Sequence, residues 1–175
     1  MNVRFRQVKS SKIKVAINNV ATMHLQASDT YMSLGFYFQC QAVSVDGMST
    51  FFRKLAEEKQ EVARSLLKQS RLQYECPLTH QESRSCEWSS SQHAMEVALE
   101  LEKSLYREVL ELQTLASANK DTDFVAFLED QFLGKEAELI KQMRDYLTII
   151  CRLSHPQLSL SKYFFKRPTC KQKYD

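Results

Sequence analysis

Hydrophobic residues recur at steps of three and four along four long stretches of the chain, the spacing that places them on one face of an α-helix. This pattern predicts helices over residues 11–38, 46–70, 93–119 and 122–151. The chain contains only three glycines and three prolines, so few residues would interrupt these helices. At 1.5 Å per residue each helix is roughly 40 Å long, and four helices of similar length predict an all-α four-helix bundle. The whole chain, 1–175, is expected to form a single domain.

The connections between these stretches predict how the helices are joined. Short segments separate helix one from helix two and helix three from helix four, so each pair is expected to be antiparallel. About twenty residues separate helix two from helix three, enough to span a ~40 Å bundle when extended. This length predicts a crossover that makes helices two and three parallel. A short fifth helix over 160–167 is expected after Pro156.

Every predicted helix carries a polar residue near the middle of its hydrophobic face. The residues concerned are His24, Tyr31, Lys59, Glu102 and Glu136. If the four faces meet, these side chains lie together inside the bundle, where a charge persists only when it is paired. One lysine against two glutamates leaves a negative charge, so we expect a protonated His24 to make the cluster neutral.

Glutamates and a histidine inside a four-helix bundle are also the ligand types of a di-iron site. Such a site needs a glutamate followed three residues later by a histidine on the second helix, but this chain has Lys59 and Val62 there. An ammonium group cannot ligate iron, and it brings a positive charge of its own. Lys59 is therefore predicted to take the place of a metal ion in the buried cluster.

Charge and composition exclude several other functions. The net charge is only +3 and the basic residues are scattered, which does not favour nucleic-acid binding. No apolar run has the length of a transmembrane helix, and the first residues lack the apolar segment of a signal peptide. Five cysteines without CxxC spacing argue against a disulfide framework or a zinc site. We therefore expect a cytoplasmic protein without nucleic-acid or membrane partners.

Five segments of the chain resemble the ferritin family, with the light-chain pattern. They are LQASDTYMSLGFYF (25–38), FFRKLAEEKQE (51–61), LELEKSL (99–105), FLEDQFLGKEAELIKQMRDYLT (127–148) and KYFFKRPT (162–169). The resemblance covers most of the chain and is weak only over 69–92. It implies a ferritin-like bundle with the long crossover and the fifth helix. It also implies a shell of twenty-four subunits, formed with itself and with ferritin heavy chain, that stores iron as a ferric oxyhydroxide mineral.

The resemblance implies that this chain lacks a ferroxidase centre and is not an enzyme. Heavy chains carry that centre, and this chain differs from them at several of its positions. Residues His24, Lys59, Val62 and Glu136 stand where the heavy chain has glutamate, glutamate, histidine and glutamine. Tyr31, Glu58 and Glu102 are retained, and the light-chain pattern implies a salt bridge between Lys59 and Glu102.

An acidic surface that nucleates the mineral is a further implication of the resemblance. It maps onto Glu57, Glu58 and Glu61, with Lys54 where a fourth glutamate is expected. Glutamates one helical turn apart repel each other unless a cation lies between them. Their oxygens are hard ligands that suit a hard ion such as ferric iron.

The three-fold iron channel of the family maps onto Glu129, which is retained. Ala126 stands in place of an aspartate and Gln113 in place of a histidine. With one carboxylate fewer in each subunit, the channel is expected to attract cations more weakly and to admit iron more slowly.

Two alternatives to a storage subunit remain open. Pro168 directly follows the expected fifth helix and would end it, because proline removes a backbone donor, and Asp29 stands where the family has a tyrosine. Both residues favour a diverged bundle that assembles poorly and no longer stores iron. The second alternative is a weak residual iron oxidase built on His24, Glu102 and Glu136, against which the buried lysine argues. A cytokine bundle would share the long crossover, but it would be secreted.

Overall fold

A computed structural model describes residues 11–41, 45–70 and 88–154, and every regular element within these ranges is helical. The elements in chain order are α1 (Ser11–Gln39), α2 (Met48–Ser70), α3 (Ser91–Ala118), α4 (Thr122–Leu128), a π-helical segment (Glu129–Leu133) and α5 (Gly134–Ser154). The last three follow one another without a break in helical backbone. They correspond to the predicted fourth helix, and the predicted all-α bundle is confirmed.

Polar side chains fix where α3 and α4 begin. The Ser90 hydroxyl accepts a hydrogen bond from the backbone N–H of His93 at 3.1 Å. The Asp121 carboxylate accepts one from the N–H of Phe124 at 3.2 Å. Each bond satisfies a donor that the first turn of a helix leaves free. Because Ser90 is the cap, α3 begins two residues earlier than the hydrophobic spacing predicts.

The helices bury their apolar faces in two layers, one towards each end of the bundle. One layer joins the second half of α1 with the first halves of α2 and α3 and with α5. The other joins the first half of α1 with the second halves of α2 and α3, with α4 and with the π-helical segment. It follows that α1 is antiparallel to α2 and that α2 is parallel to α3, as the sequence predicts. The crossover residues 71–87 and the fifth helix at 160–167 lie outside the described residues.

α1 and α2 approach each other closely because small residues lie between them. The Ser28 hydroxyl donates to the Ala56 carbonyl at 2.7 Å, and the Ser49 hydroxyl donates to the Gly35 carbonyl at 2.9 Å. A Cβ atom added at Gly35 would lie 3.0 Å from Cγ of Arg53 and 3.3 Å from the Ser49 carbonyl oxygen. A side chain larger than glycine at this position would push Arg53 and the Ser49 carbonyl aside, so glycine favours the close approach of the two helices.

The π-helical segment keeps one face of the fourth helix directed at the core. The buried residues of the fourth helix around this segment are spaced four apart three times in succession: Phe124, Leu128, Phe132 and Glu136. In a regular α-helix each step of four drifts by about 40° around the axis, so the third step would turn away from the core. A π-helix, with hydrogen bonds from i to i+5, holds more residues in each turn and absorbs this drift. The prediction of an uninterrupted helix over 122–151 missed this feature.

The structure also bears on the predicted environment of the chain. Cys151 is disulfide-bonded, whereas Cys40 is free and exposed. The spacing of the cysteines did not predict the bond at Cys151. Among the described helices, none is long and apolar enough to cross a membrane.

Candidate functional site

The polar residues of the four hydrophobic faces come together in the middle of the bundle. α1 contributes His24 and Tyr31, α2 contributes Lys59, α3 contributes Glu102 and α5 contributes Glu136. The exposed fraction is zero for His24, Tyr31 and Glu102 and 5% for Lys59 and Glu136. Such complete burial means that each charge depends on its protein partners for stabilisation.

Glu102 is the centre of this cluster because two other helices bond to its carboxylate. The Lys59 ammonium donates to Oε1 of Glu102 in a salt bridge. The Tyr31 hydroxyl donates to Oε2 at 2.5 Å. The Lys59 Nζ also lies 3.4 Å from Oε1 of Glu136, a longer contact. One ammonium group therefore links carboxylates from α3 and α5, with the stronger contact to α3.

His24 is held by its own helix rather than by the charged residues. Its Nδ1 lies 2.8 Å from the carbonyl oxygen of Val20. Because a carbonyl can only accept, Nδ1 carries the proton and Nε2 keeps a lone pair. Among the described residues, Nε2 has no hydrogen-bond partner. The imidazole also packs edge to face against Phe132, with ring centroids 5.4 Å apart.

Burial and the lysine act in opposite directions on Glu102. Burial alone would favour the neutral acid, but the Lys59 charge and the hydrogen bonds from Glu136, Lys59 and Tyr31 together hold the pKa of Glu102 below its ordinary value. Burial and the Glu102 charge raise the pKa of Tyr31 well above its ordinary value. The cluster thus contains a carboxylate that stays ionised and a phenol that stays protonated.

The neutral state of the cluster comes from Glu136, not from His24. Burial, followed by the Lys59 charge, lowers the pKa of His24 from 6.5 to about 4, so its imidazole is neutral at physiological pH. The prediction of a protonated His24 is wrong because an imidazolium would sit in a dry core beside an ammonium group. Burial raises the pKa of Glu136 to about 8; Lys59 opposes this rise, and the Glu102 charge and a hydrogen bond with Glu102 add to it. One ammonium, one carboxylate and one neutral acid sum to zero.

The three glutamates assigned to mineral nucleation all lie exposed on α2. Glu57, Glu58 and Glu61 point away from the buried face that carries Lys59. Arg64 lies 3.5 Å from Glu61 in an ion pair whose side chains are both more than half exposed. Across the described residues, no group of three or more histidines, cysteines and acids is placed to hold a metal ion. The nucleating role of these glutamates therefore stays a prediction.

Glu129 and Gln113 meet on the surface where α3 faces the π-helical segment. The Gln113 amide donates to Oε1 of Glu129 at 3.1 Å. Ala126, one turn before Glu129, is exposed and presents no polar group. The structure thus shows which side chain orients Glu129, while its role in an iron channel stays a prediction.

Sequence reasoning missed three partners of the buried cluster. The Val20 carbonyl fixes the His24 tautomer, and its spacing of four residues from His24 on one helix is the signal that could have found it. Phe132 packs on the same imidazole, and the run of steps of four through Phe132 was its signal. The direction of the Tyr31 hydroxyl had no signal in the sequence, because it depends on the approach of α1 to α3.

Comparison with known proteins identifies the family. A family model described as a ferritin-like domain matches residues 14–153. The chain is 45% identical to ferritin light chain of Oryctolagus cuniculus and 44% identical to that of Felis catus, over 173 residues that cover 98% of this chain and 99% of each relative. It is 34% identical over 168 residues to the oocyte isoform of ferritin light chain of Xenopus laevis, with 95% of both chains covered. The family model and these light-chain relatives lead to one conclusion: the chain belongs to the ferritin family, as an iron-storage subunit of light-chain type.

Proposed function

We propose that this chain stores iron without a ferroxidase centre of its own. The observation that carries the proposal is Lys59, whose ammonium lies between Glu102 and Glu136 in the interior of the bundle. The resemblance implies that heavy chains hold a ferroxidase centre at the matching positions. Because a cation already neutralises these carboxylates, a ferrous ion would have to displace an ammonium group from a buried salt bridge.

The same proposal assigns mineral nucleation to the exposed face of α2. Glu57, Glu58 and Glu61 offer hard oxygen ligands to ferric iron. Arg64 competes for Glu61, but an ion pair this exposed is weak, so a trivalent ion can replace it. Lys54, exposed one turn before Glu57 and Glu58, reduces the negative potential of the patch.

Assembly completes the proposal. The subunit stabilises a multi-subunit cytoplasmic shell, formed with its own copies and with ferritin heavy chain, in which iron is kept as a ferric oxyhydroxide core. Heavy chains would supply oxidation, and this chain would supply the nucleating surface.

The nucleation role is tested by mineral formation in shells mixed with heavy chain. We expect a triple variant, Glu57→Gln, Glu58→Gln and Glu61→Gln, to form mineral more slowly than the unaltered chain at equal rates of iron oxidation. The matched control neutralises three acids exposed on other helices, Glu111→Gln, Glu138→Gln and Asp145→Asn, and should leave the rate unchanged. Equal rates in both variants would contradict the role of the α2 glutamates.

A residual iron oxidase is the second candidate, favoured by two unpaired atoms. Within the part of the chain that the structure describes, Nε2 of His24 and Oε2 of Glu136 are buried without a hydrogen-bond partner, and both are atoms that can ligate iron. An oxygen electrode distinguishes the candidates when ferrous iron is added to the chain without heavy chain. Storage alone predicts oxygen consumption no faster than in buffer. Protein-dependent consumption that Glu102→Ala abolishes would instead establish the oxidase.

A further inference from the structure

The π-helical segment inserts one extra residue into the fourth helix directly before the buried Glu136. This extra residue shifts the direction of the side chains that follow it, and we call the shift the register step. Without the π-helical segment, eight residues at about 100° each would place Glu136 about 80° around the helix axis from Leu128. Both side chains are nevertheless buried, with exposed fractions of 0% for Leu128 and 5% for Glu136. The inward direction of Glu136 therefore depends on the extra residue of the π-helical segment.

The residues around this step hold it weakly. Asp130, Gly134 and Lys135 are exposed and Glu129 is held only at the surface by Gln113, so Phe132 is the one side chain of the segment that is buried in the core. Gly134 has a helical backbone with φ of −72° and ψ of −27°, and a Cβ atom there would meet nothing within 4 Å. Neither conformation nor space requires glycine, and glycine inside a helix weakens it.

Glu136, the buried residue that follows the step, makes the weaker of the two contacts of the Lys59 ammonium group. Oε1 of Glu136 approaches Nζ of Lys59 only to 3.4 Å, and its Oε2 has no hydrogen-bond partner among residues 11–41, 45–70 and 88–154. Lys59 retains Glu102 if Glu136 leaves. If the extra residue moved beyond Glu136 in the direction of Met143, Phe132 would lie only about 40° around the axis from Leu128 and stay near the core, while Glu136 would lie about 80° from Leu128, towards solvent. The later part of α5 would keep its register.

We propose that the π-helical segment and Gly134 form a movable register step that turns Glu136 either towards the buried Lys59 or towards solvent. With Glu136 inside, the ammonium group joins α2 to both α3 and α5. With Glu136 outside, α5 loses its contact with Lys59, and the buried cluster is reduced to His24, Tyr31, Lys59 and Glu102. The step is thus a conformational device within the subunit, independent of whether the exposed glutamates nucleate mineral.

Amide hydrogen exchange of the assembled protein tests whether the step moves. We expect the amides of residues 129–137 to exchange about tenfold or more faster than those of residues 141–149 on the same helix. Gly134→Ala should slow exchange of the first group by about fivefold, because alanine stabilises a helix relative to glycine. The control Glu138→Ala changes an exposed residue beyond the step and should leave unchanged the ratio of the exchange rates of residues 129–137 and 141–149. Equal exchange of the two groups in the unaltered protein would overturn the proposal.

A deletion tests whether the segment really contains an extra residue. Removing the exposed Asp130 should convert the segment to α-helix with Leu128 and Glu136 both still facing the core, so the bundle should keep its melting temperature and lose the fast exchange. Removing the exposed Glu138 should turn Met143 and Ile150 away from the core by about 100° and sharply lower the melting temperature. Equal damage from the two deletions would refute the register step.

Discussion

Glu136 gives the structure its most specific pH dependence. Its pKa is about 8 in the folded chain against an ordinary value of 4.5, because it is buried beside Glu102. Since the folded state binds this proton more tightly than the unfolded state, the stability that it contributes is fully present below pH 4.5 and is lost as the pH rises through about 8. His24 acts in the opposite sense: its pKa is lowered to about 4, so its contribution is present above pH 6.5 and is lost as the pH falls through about 4.

These two groups oppose each other below pH 6.5, and only Glu136 acts between pH 6.5 and about 8. The slope for one proton is at most about 1.4 kcal/mol per pH unit. Across this window the free energy of unfolding should therefore fall by up to about 2 kcal/mol. Glu136→Gln copies the shape of the protonated acid but cannot ionise, so the variant should lack this part of the slope.

The assay is guanidinium unfolding of the unaltered chain and of Glu136→Gln at several pH values between 6.5 and 8. Trp88, the only tryptophan, packs against the core and reports unfolding by its fluorescence. Equal protein concentrations remove the contribution of assembly from the comparison. We expect the free energy of unfolding of the variant, relative to that of the unaltered chain, to rise by about 2 kcal/mol from the lowest to the highest pH. Parallel stability curves would refute the assignment of the proton to Glu136.

Three further predictions follow from the same contacts. Lys59→Ala should lower the free energy of unfolding by about 3–5 kcal/mol in guanidinium, because Glu102 would remain buried without its partner. The control Lys54→Ala, at an exposed position on the same helix, should change this free energy by less than about 0.5 kcal/mol. Equal effects of the two substitutions would contradict the burial of the cluster. Tyr31→Phe should cost about 1.5–3 kcal/mol in the same assay, since its hydroxyl bonds to an ionised carboxylate, and a neutral result would mean that this bond is absent in solution. Ala126→Asp should speed iron uptake into assembled shells by restoring a carboxylate near Glu129, as measured by the colour of the ferric mineral; no gain would remove Glu129 from the entry route.

The sequence predicted the general position of the buried cluster because one rule applied to all four helices. His24, Lys59, Glu102 and Glu136 each fell on a hydrophobic face, and hydrophobic faces meet in the core of a bundle. The same reasoning gave the parallel arrangement of α2 and α3, since the length of a connection limits the distance that it spans. These features depend on spacing along the chain, which the sequence contains directly.

The protonation states could not be predicted in this way because they depend on distances between helices. The sequence suggested a protonated His24, whereas burial, the largest influence on both groups, lowers the pKa of His24 and raises that of Glu136. The π-helical segment was missed for a different reason. Steps of four and steps of three were treated as equivalent, although three steps of four in succession cannot stay on one face of a regular α-helix.

The most direct test of the central account is the native mass of the purified chain after ferrous iron is added in air. Light scattering measures this mass as the protein elutes from a sizing column, and iron is measured in the same fractions. An iron-storage subunit of light-chain type predicts a particle of about twenty-four subunits that elutes together with iron. A monomer or dimer that leaves the iron behind as a precipitate would contradict storage by this chain alone.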